Sequence, residues 1–388
     1  MQQRRLYPWC RSRLRLVIAI LVAFLFFSLP LVIWRSQCDD GAVISSPFTR
    51  SQERFPSAFK DDIHRDSLTI VMMSYPMTKR LHRLLQILRS ILYDWPKDEG
   101  IVHEVLLVWN GAEQTIPHEL LKLKFMYDTR HRSAYRGRGH APHLRLIPQK
   151  LNSMANRWLI YPILRTDAVL NIDDDVDMSY AAARCLFSIW LQTPYSLVAT
   201  DVRAIVDCVA TAEHCKYGGP FDYMARERLP GIGLSYNIAL PRALLVSRMY
   251  YMTFAESFHR VVQVPSQPTL TTFTSTQQDS LDRIVQELLC DDIAFNYAAA
   301  NASIHFSRSA GTHFRSQRPI KAIPLLVKAS VTSFPESNAA GALTLGHGMK
   351  LKRRECAKRL SILFSSDGGR TPFRLQHQIW QATCTVSK

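Results

Sequence analysis

Ala168 to Asp177 reads AVLNIDDDVD. A short apolar run suited to a buried strand passes straight into Asp173, Asp174 and Asp175, and Asp177 follows after Val176. Adjacent like charges repel, and at a strand end each is partly desolvated. A divalent cation relieves that repulsion. Carboxylates suit Mg²⁺ or Mn²⁺, with a phosphate-bearing substrate completing the octahedron. Strand alternation sends Asp173 and Asp175 to one side and Asp174 to the other. The plainer alternative is an acidic solvent turn beside a helix N-cap.

The chain on either side alternates strand and helix. Leu68–Ser74 (LTIVMMS) reads as a strand, followed by a helix with Leu81, Leu84, Leu85, Leu88, Ile91 and Leu92 on one face. Val105–Trp109 is a second strand, ending at Asn110-Gly111, and Leu144–Ile147 a third. A helix is expected from about Ser153 to Leu164 ahead of the acid-tipped strand, and another after it carrying Ala183, Leu186, Phe187 and Trp190. This order predicts an α/β fold with a mixed, mostly parallel sheet flanked by helices. Ligands of such sheets sit beyond the carboxyl ends of the strands.

The chain has 388 residues and a formal net charge of +16, with 47% hydrophobic residues, which excludes a disordered chain. The charge first suggests nucleic acid, but no RNA-binding signature or zinc spacing accompanies it. The excess sits in three stretches: the arm up to Arg15, the run from Glu119 to Leu146, and the run from Met349 to Arg374. The first precedes Leu16–Trp34, an uncharged segment that would span roughly 28 Å as a helix. Arg4, Arg5, Arg11, Arg13 and Arg15 keep the N-terminus cytosolic by the positive-inside rule. The expected layout is a cytosolic arm (1–15), a transmembrane signal anchor (16–34), a stem (35–66), a folded α/β domain (67–365) and a C-terminal tail (366–388). A lumenal body makes the cysteines disulfide-permissive, and Asn301-Ala302-Ser303 is a glycosylation sequon. Cys208 and Cys215 are close enough in sequence for a local bridge.

A second acid pair, Asp291-Asp292, stands in LLCDDIAFNYAAA at the start of an expected helix. First-turn acids commonly serve the helix macrodipole. Here the apolar neighbours Ile293 and Phe295 point to an embedded turn, where a carboxylate could orient an acceptor hydroxyl or balance emerging positive charge.

The ordered set of Trp109-Asn110 after a strand, Asn152-x-x-x-Asn156-Arg157, the Asp173–Asp175 triplet and Cys290-Asp291-Asp292-Ile293-Ala294-x-Asn296 resembles glycosyltransferase family 64, the exostosin-like C-terminal domain. The resemblance runs from about Ser67 to Leu360 and is thin between Ala204 and Ser280. It implies a GT-A-like fold behind the N-terminal transmembrane helix. It further implies a retaining, Mn²⁺- or Mg²⁺-dependent transferase of the Golgi or endoplasmic reticulum, single-pass type II, with a UDP-sugar donor. The acceptor would be a glycan or glycoconjugate, anionic if the basic run near residues 130–143 meets it, and no nucleic acid is expected. In the roles the family implies, Asn110, Asn152, Asn156, Arg157, Asp173 and Asp174 bind the nucleotide sugar, and Asp175 binds the metal. Asp291 and Asp292 lie at the reacting centre, Arg353 meets the diphosphate, and Cys290 pairs with Cys356.

One departure stands out. Where the family shows Gln-Thr-Tyr-x-Arg after the first strand, this chain has Met73-Ser74-Tyr75-Pro76-Met77, and Lys79 and Arg80 are the nearest cations. That substitution motivates an alternative, a non-catalytic transferase-like subunit that binds acceptor or assists a partner enzyme.

Overall fold

The computed structural model describes residues 63–76, 78–96, 100–131, 141–208, 221–225, 236–258, 275–309, 324–329, 331–333, 347–364 and 381–383. The expected span 16–34, most of the stem and Cys215 lie outside these residues. Among the described residues no helix is long and apolar enough to cross a membrane.

Four parallel strands set the frame: β1 (His64–Ser74), β2 (Val102–Asn110), β3 (His143–Gln149) and β4 (Thr166–Asp173). Each apolar run is longer than its sequence core because backbone pairing continues into flanking polar residues; His64, in the expected stem, already pairs with Thr166. From Leu68 to Ser74 every residue of β1 is buried. That is the signature of a strand covered on both faces. Val71 and Met73 pack into one core, and Leu68, Ile70 and Met72 into the other.

Helix α1 (Thr78–Arg89), helix α2 (His118–Met126) and helix α3 (Tyr180–Gln192) contribute to the second core. Ser179 caps α3 by accepting from the Ala182 N–H at 3.2 Å. The short β5 (Val176–Met178) carries the chain from the acid triplet into α3. After β6 (Leu197–Ala199), β7 (Val202–Asp207), β8 (Phe221–Ala225) and β9 (Ile238–Ala239), strand β10 (Ala243–Ser247) returns antiparallel between β4 and β6. Helices α4 (Arg248–Glu256), α5 (Ser275–Leu288) and α6 (Asp291–Ser309) pack into the first core. β11 (Pro324–Lys328), β12 (Val331–Ser333), α7 (His347–Leu363) and β13 (Gln381–Thr383) complete the described chain.

The main sheet runs β13-β11-β6-β10-β4-β1-β2-β3, and only β10 opposes its neighbours. The expected mixed, mostly parallel sheet flanked by helices is therefore observed. β12 pairs with β5, and β7 pairs with β8 and β9. β13, within the stretch read as a tail, is an edge strand of the main sheet.

One element differs in kind. Instead of a helix from Ser153 to Leu164, the chain forms two 3₁₀ turns, Met154–Arg157 and Tyr161–Ile163. Ser153 caps the first, and Pro162 sits at the start of the second, where it removes a donor that a continuous helix would need. This short turn, tucked beneath the carboxyl ends of β1 and β2, carries Asn156 and Arg157 into the interior.

Candidate active site

β1, β2 and β4 end side by side, so Ser74, Asn110 and Asp173 mark one edge of the sheet. The triplet divides there as alternation predicts: Asp174 is buried, while Asp173 and Asp175 keep partial exposure. Both oxygens of Asp174 are engaged. Ser74 Oγ donates to Oδ2 at 2.6 Å and an Arg80 guanidinium N–H to Oδ1 at 2.9 Å. Burial holds the Asp174 carboxyl above the ordinary range, and Arg80 and Ser74 offset only part of that rise. Arg80, from the first turn of α1, thus brings a cation to the strand end that lacks the expected arginine. Its guanidinium also lies 5.3 Å from the Tyr75 ring centre.

Asp173 accepts from Arg157 at 2.7 Å. Arg157 is buried, and its Nε stands 3.9 Å from Asp291 Oδ2, too long for a hydrogen bond but an ion pair. Burial alone would lower the guanidinium pKa; Asp173 and Asp291 outweigh it and hold the cation firmly charged. Arg157 is therefore a bridge between the strand-end triplet and the second acid pair, two groups more than a hundred residues apart in sequence.

Asp291 and Asp292 open α6. The residue two before them, Leu289, has φ 52°, a left-handed conformation that costs a bulky side chain about 1–2 kcal/mol. That reversal turns α5 into α6 and brings both acids inward. Asp291 Oδ2 accepts from the Trp158 indole N–H at 2.8 Å. Asp292 accepts from the Ile293 N–H at 2.9 Å and from Arg353 at 2.7 Å. Burial, with Asp292 nearby, pushes the Asp291 carboxyl up to about 6 against the opposing pull of Arg157.

Arg353, on α7, also donates to the Tyr223 hydroxyl of β8 at 3.0 Å. The next residue, Arg354, grips Asp222 at 2.7 Å, so two consecutive arginines pin β8 to α7. Cys290 and Cys356 form a disulfide, as the resemblance implied, and it ties the start of α6 to α7 beside this cluster. Cys185 and Cys208 each take part in a disulfide as well, though not with one another.

The asparagines take another part. Asn110 donates to the Ser153 carbonyl at 2.9 Å and accepts from Asn156 at 2.7 Å; Asn156 also donates to the Leu151 carbonyl at 2.7 Å. Both are buried and brace the 3₁₀ turn against β2, whereas Asn152 is exposed on the same loop. Asn301 lies inside α6, partly exposed and apart from this network. Sequence reasoning did not single out Ser74, Trp158 or Tyr223. Ser74 carried one usable signal, as the last residue of a strand next to the acid-tipped one.

No three His, Cys, Asp or Glu side chains converge as a metal cage among the described residues. Asp175 is the member of the triplet whose carboxylate makes no hydrogen bond or ion pair with a described residue, unlike Asp173 and Asp174. A partly exposed oxygen donor of this kind fits a hard cation held by one or two carboxylates and completed by substrate phosphates.

Strand-end acids joined by a buried arginine to a second acid pair, on the carboxyl edge of a mostly parallel sheet, form the candidate site of this α/β protein. The chain belongs to glycosyltransferase family 64, whose domain model matches residues 68–367. Exostosin-like 2 of Mus musculus is 27% identical over 236 residues, covering 60% of this chain and 57% of the relative. The Homo sapiens protein of that name is 27% identical over 248 residues, 63% and 60% of the two chains. Glucosamine inositolphosphorylceramide transferase 1 of Arabidopsis thaliana is 24% identical over 269 residues, 68% of this chain and 27% of the relative. The match thus covers less than two thirds of each of these relatives.

Proposed function

We propose that this protein is a retaining glycosyltransferase of GT-A type. It transfers a sugar, an N-acetylhexosamine, from a UDP-sugar to a glycan or glycoconjugate acceptor. The observation that carries this reading is the Arg157 bridge, which holds Asp173 at the donor end and Asp291 at the reacting end within one charged network. Asp175 would hold the Mn²⁺ or Mg²⁺ ion, whose chemistry when bound is to neutralise diphosphate charge. Exposed Asn152 and partly exposed Asp173 are the open groups on the donor side, and the buried Asn110–Asn156 pair fixes the turn that carries Arg157.

Arg353 supplies a permanent cation beside the second pair. Burial opposes its charge, but Asp292 and Tyr223 hold it well above the ordinary arginine value. A fixed cation in a dry site stabilises charge developing on a leaving diphosphate without reorganising. Asp291 and Asp292 balance positive charge emerging at the sugar as its bond to the diphosphate breaks. The uncharged segment 16–34, preceded by arginines, supports a signal anchor that holds the domain in the lumen of the Golgi or endoplasmic reticulum.

The test is a donor screen on the purified full chain across UDP-GlcNAc, UDP-GalNAc and GDP-mannose with Mn²⁺. Turnover of a UDP-N-acetylhexosamine, abolished by a chelator and restored by Mn²⁺, with retained anomeric configuration in the transfer product, is expected. Nucleotide binding without turnover would overturn it in favour of the second reading, a non-catalytic subunit that assists a partner transferase. That reading draws on the Met73–Met77 segment, which lacks the family's glutamine and arginine.

A further inference from the structure

Trp158 belongs to neither acid group, yet it touches the second one directly. Its indole ring is fully buried and lies 3.9 Å, centre to centre, from the Phe295 ring at an interplanar angle of 17°. Phe295 sits one helical turn beyond Asp291 on α6, so the stacking seats the indole against the first turn of that helix. Tyr251 and Phe254 of α4 close around the same ring at 5.5 and 6.2 Å. Held on these sides, the indole N–H points at Asp291 Oδ2 at 2.8 Å. No described group donates to the other oxygen, and the Asp291 side chain keeps 4% of its surface open.

We propose that Trp158 is a positioning residue for the transfer reaction, orienting Asp291 so that one carboxylate oxygen is fixed by the protein and the other is left for the reacting groups. This rests on the transferase reading above. A tryptophan that merely satisfied its own N–H could have done so with a backbone carbonyl. Meeting a carboxylate instead makes the bond charge-assisted and roughly twice as strong. It also links four residues in a chain of contacts: Asp173, Arg157, Asp291 and Trp158, with Arg157 the last residue of the 3₁₀ turn and Trp158 its C-cap. A shift of that turn moves the donor-side and reacting-side acids together.

The charged groups facing Asp291 are Arg157 from the 3₁₀ turn, Asp292 from its own helix and Arg353 from α7. Tyr251 of α4 faces the same space and stays neutral, its pKa raised by burial and its hydroxyl donated to Asn171. Among these, the Trp158 bond favours the ionised carboxylate. Removing it therefore raises the pH at which Asp291 ionises.

Trp158→Phe removes the N–H and keeps the stack. In the full chain carrying ¹³C-carboxyl-labelled aspartate, the Asp291 resonance is assigned by its loss in Asp291→Asn. Its titration midpoint is expected to move upward in Trp158→Phe, and an unchanged midpoint would overturn the proposal. In kinetics with the donor that the wild type turns over, kcat falls about tenfold with donor KM within about twofold, and the acid limb of kcat moves to higher pH. Unchanged kcat, or a loss of kcat with an unmoved pH profile, would also overturn it. In the Asp291→Asn background Trp158→Phe should cost nothing further. A wild type with no transfer activity would sink the function reading instead, and the titration would still decide the role of Trp158.

Discussion

The two acid groups use the same residue type in opposite ways. At the end of β4 the carboxylates emerge from a strand, and Asp175 is left partly exposed, with no hydrogen bond or ion pair to a described residue. At the start of α6 both carboxylates are buried and each is met by named donors, Trp158 for one and Ile293 N–H with Arg353 for the other. A disulfide closes beside the pair. The difference teaches that an acid's neighbours, more than its motif, decide whether its loss is felt as stability or as chemistry.

The sharpest break of that contrast is Arg353→Ala. Removing the guanidinium leaves Asp292 buried without its cation, and breaking a buried pair from one side costs about 3–5 kcal/mol. A large drop in denaturation midpoint is expected together with loss of transfer. A variant that melts like the wild type would show that this pair does not hold α6 to α7.

Asp175→Ala should do the reverse. Turnover falls on the order of 10²–10³-fold if the carboxylate places the metal. Stability stays within about 0.5 kcal/mol, because no described partner is lost. Metal-dependent turnover and thermal melts, measured side by side with Arg353→Ala, separate the two regions. Equal destabilisation in both variants would erase the comparison.

How much of this could be read from the chain alone follows the same division. β1, β2 and β4 were legible because a strand buried on both faces must be an unbroken apolar run, and Leu68–Met73 is one. The Cys290–Cys356 bridge came from resemblance, since no spacing argument chooses among eight cysteines. The segment from Ser153 to Leu164 misled because its apolar residues recur at helical spacing while its capping and proline chemistry cut it into two turns. Those turns place Arg157 and Trp158, so the link between the acid groups was hidden with them. Contacts such as Trp158 with Asp291, separated by 133 positions, have no local signature.

The smallest expected effect tests whether the division runs between the two acid groups or through one of them. Asp174 belongs to the triplet by sequence, but its environment is that of the second pair: buried, with a hydroxyl on one oxygen and a guanidinium on the other. Ser74→Ala removes the hydroxyl while leaving Arg80 in place, so Oδ2 is buried without its donor at a cost of about 2 kcal/mol. Turnover should fall only a few-fold, because Asp175, two positions beyond the strand end, keeps its carboxylate. A denaturation midpoint lowered by that amount, with donor turnover largely kept, would place Asp174 with the structural acids despite its neighbours in sequence. If turnover collapsed while stability held, Asp174 would instead act with Asp175 on the donor, and the line between the two regions would follow the motif rather than burial.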